Sequence, residues 1–351
     1  ENSVKSFVLK GDKKIGYITL PAFYTNYVEG SQLGCANDVA RELIKLKRDS
    51  IDGLIVDLRY NGGGSMKEAV GLAGIFIDAG PVLIQKYRDE KPTTIKDFNR
   101  GLSYDGPMAI MVNKYSASAS EIVSAALQDY NRAIIVGSPT YGKATAQNII
   151  PLDTNFMIGR TNKMNDLGFV KLTIAKMYRI KGNTHQLTGV VPDVTLPNLT
   201  DGIEAGESQN KTALKSDSIF KKIYHKPLPL NNTSMLATMS NQRVAKDYNF
   251  QEIKKMNLKL QSLVLEIENR MPLGLNEYKS LFEKKWNVIK KISELSKDTT
   301  NVYQIINNNY DNEVISLYEQ VAADNKELKT KLQHDIYIEE TYKVLNDLIT
   351  K

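Results

Sequence analysis

Histidine and cysteine are nearly missing from this 351-residue chain, which holds three His and one Cys. A lone Cys35 excludes an internal disulfide and any Cys-based zinc site, and says nothing about redox compartment. His185, His225 and His334 lie apart from the motifs described below, so histidine triads and His-rich metal sites are poorly supplied. Any hydrolase built from this chain needs another base. Long apolar runs are missing as well: those at 53–56 and 134–137 are strand-sized, far short of the roughly 20 residues of a membrane span. No leader precedes the first strand-like run, and the chain starts at Glu1 without Met, which reads as a processed chain or an excised part of one. There is no block of like charge either. The formal net charge of +6 is spread over Lys-rich helical segments, which reads as a solvated basic surface and not as nucleic-acid binding.

With 42% hydrophobic and 25% charged residues the composition is that of a globular protein, and the length allows two domains, each with its own core. Through residue 200, short β-rich runs alternate with helical patterns. Residues 6–10 and 14–21 flank Gly11-Asp12, a hairpin signal. Val39, Leu43 and Leu46 recur at helical spacing, the continuous apolar strand 53–58 runs into a glycine loop, and a helical run covers 66–76. Further strands are expected at 81–87, 108–112, 133–137 and 169–180. This alternation argues for an α/β core around a buried sheet over 1–200. Asn, Ser, Thr, Gly and Pro dominate 201–235, which reads as a linker. From 236 to 351 helical periodicity takes over. One stripe of Tyr278, Leu281, Phe282, Trp286, Ile289 and Ile292, and another of Ile338, Tyr342, Leu345 and Ile349, read as helix-packing cores.

Three motifs in the first 200 residues carry chemistry. In Asp57-Leu58-Arg59-Tyr60-Asn61-Gly62-Gly63-Gly64 a strand ends in three glycines, which leaves backbone N–H groups free to meet an anion. Taken alone it serves equally as a tight strand-to-helix turn. In Tyr115-Ser116-Ala117-Ser118-Ala119-Ser120-Glu121 a serine stands at a helix start, where amides and the positive helix end favour an oxyanion. Taken alone, Ser118 with Glu121 reads first as a capping box. Gly137-Ser138-Pro139-Thr140-Tyr141-Gly142-Lys143-Ala144 nearly matches a phosphate-binding loop. However, Ala144 replaces the magnesium-binding hydroxyl, Pro139 removes an amide, and Pro151 cuts short the helix such a loop requires.

The interval between the second and third motifs is specific. Ser-Ala-Ser-Ala-Ser-Glu-Ile, followed by Gln128-Asp129-Tyr130, Tyr141-Gly142-Lys143 and Gln147, resembles the C-terminal processing (tail-specific) protease family of S41-type serine peptidases, in its long branch. That family keeps its catalytic Lys 25 residues after the Ser, as 118 and 143 do here. Its Asp eleven after the Ser and Gln four after the Lys fall on Asp129 and Gln147. The glycine loop, Gly189-Val190-Val191-Pro192-Asp193, Arg243-Val244-Ala245-Lys246-Asp247 and residues 335–341 match as well. Ala144 and Ala146 depart from the usual Gly and Val. Family members also carry a PDZ domain and an N-terminal helical region, and this chain resembles the part downstream of them.

The resemblance implies a ClpP/crotonase-like α/β protease core followed by a mainly helical C-terminal domain. It implies endopeptidase action on polypeptides with apolar C-terminal tails, an adaptor protein as a candidate partner, a periplasmic or cell-envelope location, and no metal or organic cofactor. Ser118 becomes the nucleophile and Lys143, its pKa lowered by burial, the general base. Gln147 orients Lys143, and the amides of Ala119, Gly63 and Gly64 form the oxyanion hole. On a helix from about 119, Asp129 lies almost three turns away and supports the site without touching Ser118. Two other readings use the same motifs: a catalytically silent scaffold, and a crotonase-like acyl-CoA enzyme that has no use for the Ser118–Lys143 interval.

Overall fold

A computed structural model describes residues 4–25, 34–152, 168–198, 201–203, 205–220, 223–269, 271–315 and 317–350. The apolar runs need cover on both faces, and the order of elements supplies it. The chain opens with a hairpin of β1 (Lys5–Lys10) and β2 (Lys14–Thr19), turning at Gly11-Asp12. Then come α1 (Cys35–Arg48), β3 (Gly53–Asp57), α2 (Met66–Phe76), β4 (Gly80–Tyr87), β5 (Thr93–Asp97) and β6 (Met108–Val112). Next are α3 (Ala119–Asp129), β7 (Ile134–Gly137), β8 (Thr145–Pro151), β9 (Phe169–Tyr178) and β10 (Val194–Thr195). The rest is mainly helical: α4 (Thr233–Lys246), α5 (Tyr248–Asn269), α6 (Leu275–Leu295), β11 (Gln304–Ile306), α7 (Asn309–Ile315), α8 (Glu319–Gln333) and α9 (Ile336–Thr350).

Seven strands form one sheet in the order β10-β7-β6-β3-β2-β1-β11. From β10 to β2 the pairs are parallel, while β1 pairs antiparallel with β2 and with β11. Alternate residues point to opposite faces. Ile18, Leu54, Val56, Ile110, Val112 and Ile135 pack with α1, α2 and α3 through Val39, Leu43, Leu72, Phe76 and Ile122. Ile15, Tyr17, Ile55, Met111, Ile134 and Val136 pack with Ile253, Ile292, Ile338, Val344 and Leu345 of the C-terminal helices. This explains why β3, β6 and β7 read as unbroken apolar runs.

The length suggested two separate cores, but the helical region shares the second face of the sheet. Each fully buried Ile, Leu or Val contributes about 1.5–3 kcal/mol. A handful of such residues therefore matches the whole stability margin of about 5–15 kcal/mol. β11 ties the two parts further by joining the sheet edge at Val8–Lys10. The stripe on α6 is only half buried. Leu281 and Ile292 face the core, whereas Tyr278, Phe282 and Trp286 are exposed. On α9, Ile338, Tyr342 and Leu345 are buried as the periodicity indicates.

A second, antiparallel sheet has the order β5-β4-β9-β8. Its edge strand β8 begins two residues after Lys143, and the register shifts between Ala146 and Gln147. The segment read as a linker also packs here: Glu207 N donates to Tyr141 O at 2.9 Å, and Lys176 Nζ pairs with Asp217 at 2.9 Å. Among the described residues no helix is long and apolar enough to cross a membrane.

Candidate active site

The three motifs leave the carboxyl ends of β3, β6 and β7, the edge where parallel α/β sheets place their ligands. Asn113 and Lys114 follow β6, and the chain then turns sharply so that Ser118 stands at the N-terminus of α3 with φ 56° and ψ −108°. A non-glycine residue held at positive φ costs of order 1–3 kcal/mol, and it persists only where neighbours enforce it. The neighbours are visible. Ser116 Oγ donates to Leu58 O at 2.8 Å, Ser120 Oγ donates to Asn61 O at 2.8 Å, and Ala117 N donates to the same oxygen at 3.0 Å. Ser116, Ser120 and Asn61 are all fully buried. The small residues of the serine motif thus clamp the Ser118 turn onto the glycine loop.

Gly63 makes that contact possible. A Cβ there would lie 2.7 Å from Ala117 O and 2.9 Å from Ser118 Cβ, and its φ is +99°. Its own N–H donates to Asn61 Oδ1 at 2.9 Å, so it is already engaged. The amides of Gly64 and Ala119 donate to no described residue. Of the three amides named from the sequence, these two remain unengaged among the described residues.

Lys143 follows β7 through a loop held by one carboxylate. Fully buried Glu121 accepts at Oε1 from Thr140 Oγ1 (2.6 Å) and Gly142 N (2.7 Å). At Oε2 it accepts from Ser118 N (2.7 Å) and Lys143 N (2.9 Å). The backbones of Ser118 and Lys143 are therefore tied to the same oxygen. The sequence showed only the capping half of this role. From the other side Ala144 N donates to Gln186 Oε1 at 2.7 Å, and Leu187 N to Gly142 O at 2.8 Å.

The Lys143 side chain lines a cleft of about 570 Å³ together with Gly62, Tyr115, Gln147, Lys171 and Glu207. Burial holds its pKa below the ordinary lysine value and the Lys171 ammonium pushes the same way, against Glu207 and Glu121. Among the described residues no hydrogen bond joins Ser118 Oγ to Lys143 Nζ. Gln147 shares the cleft, but its Nε2 donates to Thr145 Oγ1 (2.9 Å) and Thr173 Oγ1 (3.4 Å) and not to Lys143. Lys171 on β9 and Glu207 in the former linker were not among the residues singled out from the sequence. Both are distant in the chain and carry no motif.

Asp129 ends α3, about 16 Å of helix rise from Ser118 at 1.5 Å per residue. Its buried carboxylate pairs with Arg179 at 2.7 Å and Lys181 at 3.2 Å. These bonds tie the helix to the end of β9. His185, remote in sequence, is buried against the Lys143 loop. Burial pushes its pKa down.

The model of peptidase family S41 matches residues 14–196, more than half of the chain. The chain belongs to peptidase family S41. The model described as the C-terminal domain of tail specific protease matches residues 200–350. A tail-specific protease of Haemophilus influenzae is 35% identical over 273 residues, covering 76% of this chain and 38% of that protein. A carboxy-terminal-processing protease of Bartonella bacilliformis is 31% identical over 219 residues, covering 60% of this chain and 47% of that protein. The S41 chain thus spans less than half the length of these curated relatives. Among solved structures, a photosystem II D1 C-terminal processing protease matches with TM-score 0.45 at 24% identity, over 56% of this chain and 48% of that one.

Proposed function

We propose that this S41 chain carries a serine endopeptidase centre in which Ser118 is the nucleophile and Lys143 the general base. Neutral Lys143 Nζ takes the Ser118 Oγ proton as Oγ adds to the scissile carbonyl carbon. The oxyanion is met by the amides of Gly64 and Ala119. Lys143 then returns the proton to the leaving amine; in the second half water, deprotonated by Lys143, adds to the acyl carbon, and Lys143 hands that proton to Ser118 Oγ as the bond from Oγ to the acyl carbon breaks. Burial and Lys171 favour the neutral amine this cycle requires. Gln147, in the same cleft, fixes the ammonium once Lys143 is charged, and Asp129 supports α3 from its far end.

The observation that carries the reading is the Glu121 carboxylate, which holds the Ser118 and Lys143 amides on one oxygen. From that anchorage the lysine's four-carbon stem swings toward Oγ, and such contacts tighten when substrate binds. The substrate class is polypeptides selected by apolar C-terminal tails, with an adaptor protein as candidate partner and a periplasmic or cell-envelope location. A silent scaffold is the second reading, favoured by the unmade bond between Ser118 and Lys143. Acid-quenched mass spectrometry after mixing with an activated peptide ester separates the two. The proposal expects an acyl adduct on Ser118 that fails to form in Lys143→Ala; an unmodified parent chain would support the scaffold.

A further inference from the structure

We infer that a second cavity, on the other side of the glycine loop from the cleft, binds a small amphipathic carboxylate: an apolar body with one hydrogen-bond acceptor and an anionic head. The cavity measures about 410 Å³ and opens where the carboxyl ends of β3, β6 and β7 meet α6, α8 and α9. That volume lies within the roughly 300–1,000 Å³ of small-molecule sites.

Three features of its lining define the ligand. Val136, Leu196 and Leu332 are buried and give an apolar wall. Tyr337 also lines the cavity. It is 7% exposed, and its hydroxyl is shut off from water without a hydrogen-bond partner. A buried hydroxyl left unpaired is costly, so an acceptor on a ligand is favoured there once a small shift of the lining side chains opens the hydroxyl to the cavity.

At the mouth stand Lys297 and Lys331, both exposed, and neither forms an ion pair among the described residues. His334 shares the mouth. The other charges in the lining are already spent. Arg59 bonds Asp57 at 2.6 Å and Asp335 at 3.0 Å. Asp57 also accepts from the Tyr17 hydroxyl at 2.7 Å, and Asp335 from the amides of Tyr337 and Ile338. The two lysines are the cations left to meet an anion.

A plain fatty acid offers the body and the head but no acceptor within the body. An N-acylated apolar amino acid offers all three, and so does the last residue of a polypeptide. The site also touches the catalytic loop. Tyr60 lines this cavity, donates its N–H to Asn113 at 3.0 Å and stacks at 5.8 Å on Tyr115, which lines the cleft.

The test uses the Ser118→Ala chain, so that probes stay intact and the result is independent of the proposed catalysis. N-acetyl-leucine, N-acetyl-leucinamide, hexanoate and an acetylated tripeptide ending in leucine are titrated by calorimetry and thermal shift. N-acetyl-leucine is expected to bind and raise Tm, with its amide weaker by about tenfold or more, the worth of a lost charge-assisted pair. Hexanoate is expected to bind more weakly than N-acetyl-leucine. Tyr337→Phe should leave the unliganded Tm unchanged or higher, because its hydroxyl has no partner, yet weaken N-acetyl-leucine. The pair Lys297→Met with Lys331→Met should weaken the acid and not the amide. Tighter binding of the tripeptide identifies a polypeptide end as the source, and equal binding a free acyl amino acid; both support the site. It is overturned if acid and amide bind alike, if hexanoate matches N-acetyl-leucine, if no probe binds at millimolar concentration, or if the Tyr337 and lysine variants bind like their parent.

Discussion

Replacing Glu121 by Gln removes one acceptor oxygen while preserving shape, so it isolates what the carboxylate does. Four donors converge on Glu121, two per oxygen, at 2.6–2.9 Å. Whichever way the amide turns, its NH2 group faces two of them. Two hydrogen bonds to a charged acceptor are then lost, at about 1.5–3 kcal/mol each, and rotation of the Thr140 hydroxyl recovers about 1 kcal/mol in one orientation. The net loss is about 2–5 kcal/mol, a large share of a margin of about 5–15 kcal/mol. The Ser118 and Lys143 loops also lose their common anchor. A displacement of about 1 Å at reacting atoms costs of order a hundredfold in rate. Denaturant unfolding followed by far-UV circular dichroism measures the first quantity, and peptide hydrolysis by the folded fraction measures the second. A Glu121→Gln chain within about 0.5 kcal/mol of its parent, the ordinary range for a surface change, would refute the reasoning, and so would one of undiminished rate.

Lys143 must be neutral to accept a proton, so activity is lost as pH falls through its lowered pKa. Lys171→Met removes a like charge and should move that limb of kcat/KM to higher pH, more at low salt, whereas Glu207→Gln should move it to lower pH. No movement, or movement in the opposite senses, contradicts the assigned electrostatics. Gly63→Ala places a Cβ 2.7 Å from Ala117 O at φ +99° and should abolish hydrolysis with near-native circular dichroism; a chain retaining half its activity would mean the loop does not brace Ser118. Asp129→Asn breaks a buried pair with Arg179 and should cost about 3–5 kcal/mol in stability with the rate per folded molecule unchanged. A rate loss without destabilisation would return Asp129 to the chemistry.

Local patterns in the sequence located the elements well because each depends on near neighbours. The hairpin at Gly11-Asp12, the apolar runs of β3, β6 and β7 and the buried stripe of α9 all stand where periodicity and turn chemistry put them. The Ser118–Lys143 interval was legible through its resemblance and not through composition. What stayed hidden depends on contacts between distant segments. Glu121 read as a cap, since nothing in Ser-x-x-Glu tells that Thr140, Gly142 and Lys143 converge on it. The stretch 201–235 has a linker's composition, yet Glu207 lines the cleft because its amide is pinned to Tyr141. Trp286 lies between buried Leu281 and Val288 along α6 but on the flank of the stripe turned away from the core, and period alone could not show that this flank is exposed.

The central claim, that Ser118 and Lys143 act as one unit, is tested most directly by cleavage of an unfolded polypeptide with an apolar C-terminal tail. The comparison sets the parent against Ser118→Ala, Lys143→Ala and Lys143→Arg, each first shown to fold. Nucleophile and base acting as a unit predict comparable losses for all three, since a guanidinium does not deprotonate to serve as base. If either Ser118→Ala or Lys143→Ala keeps about a tenth of the parent's rate, where loss of a whole unit costs many powers of ten, the assignment is contradicted.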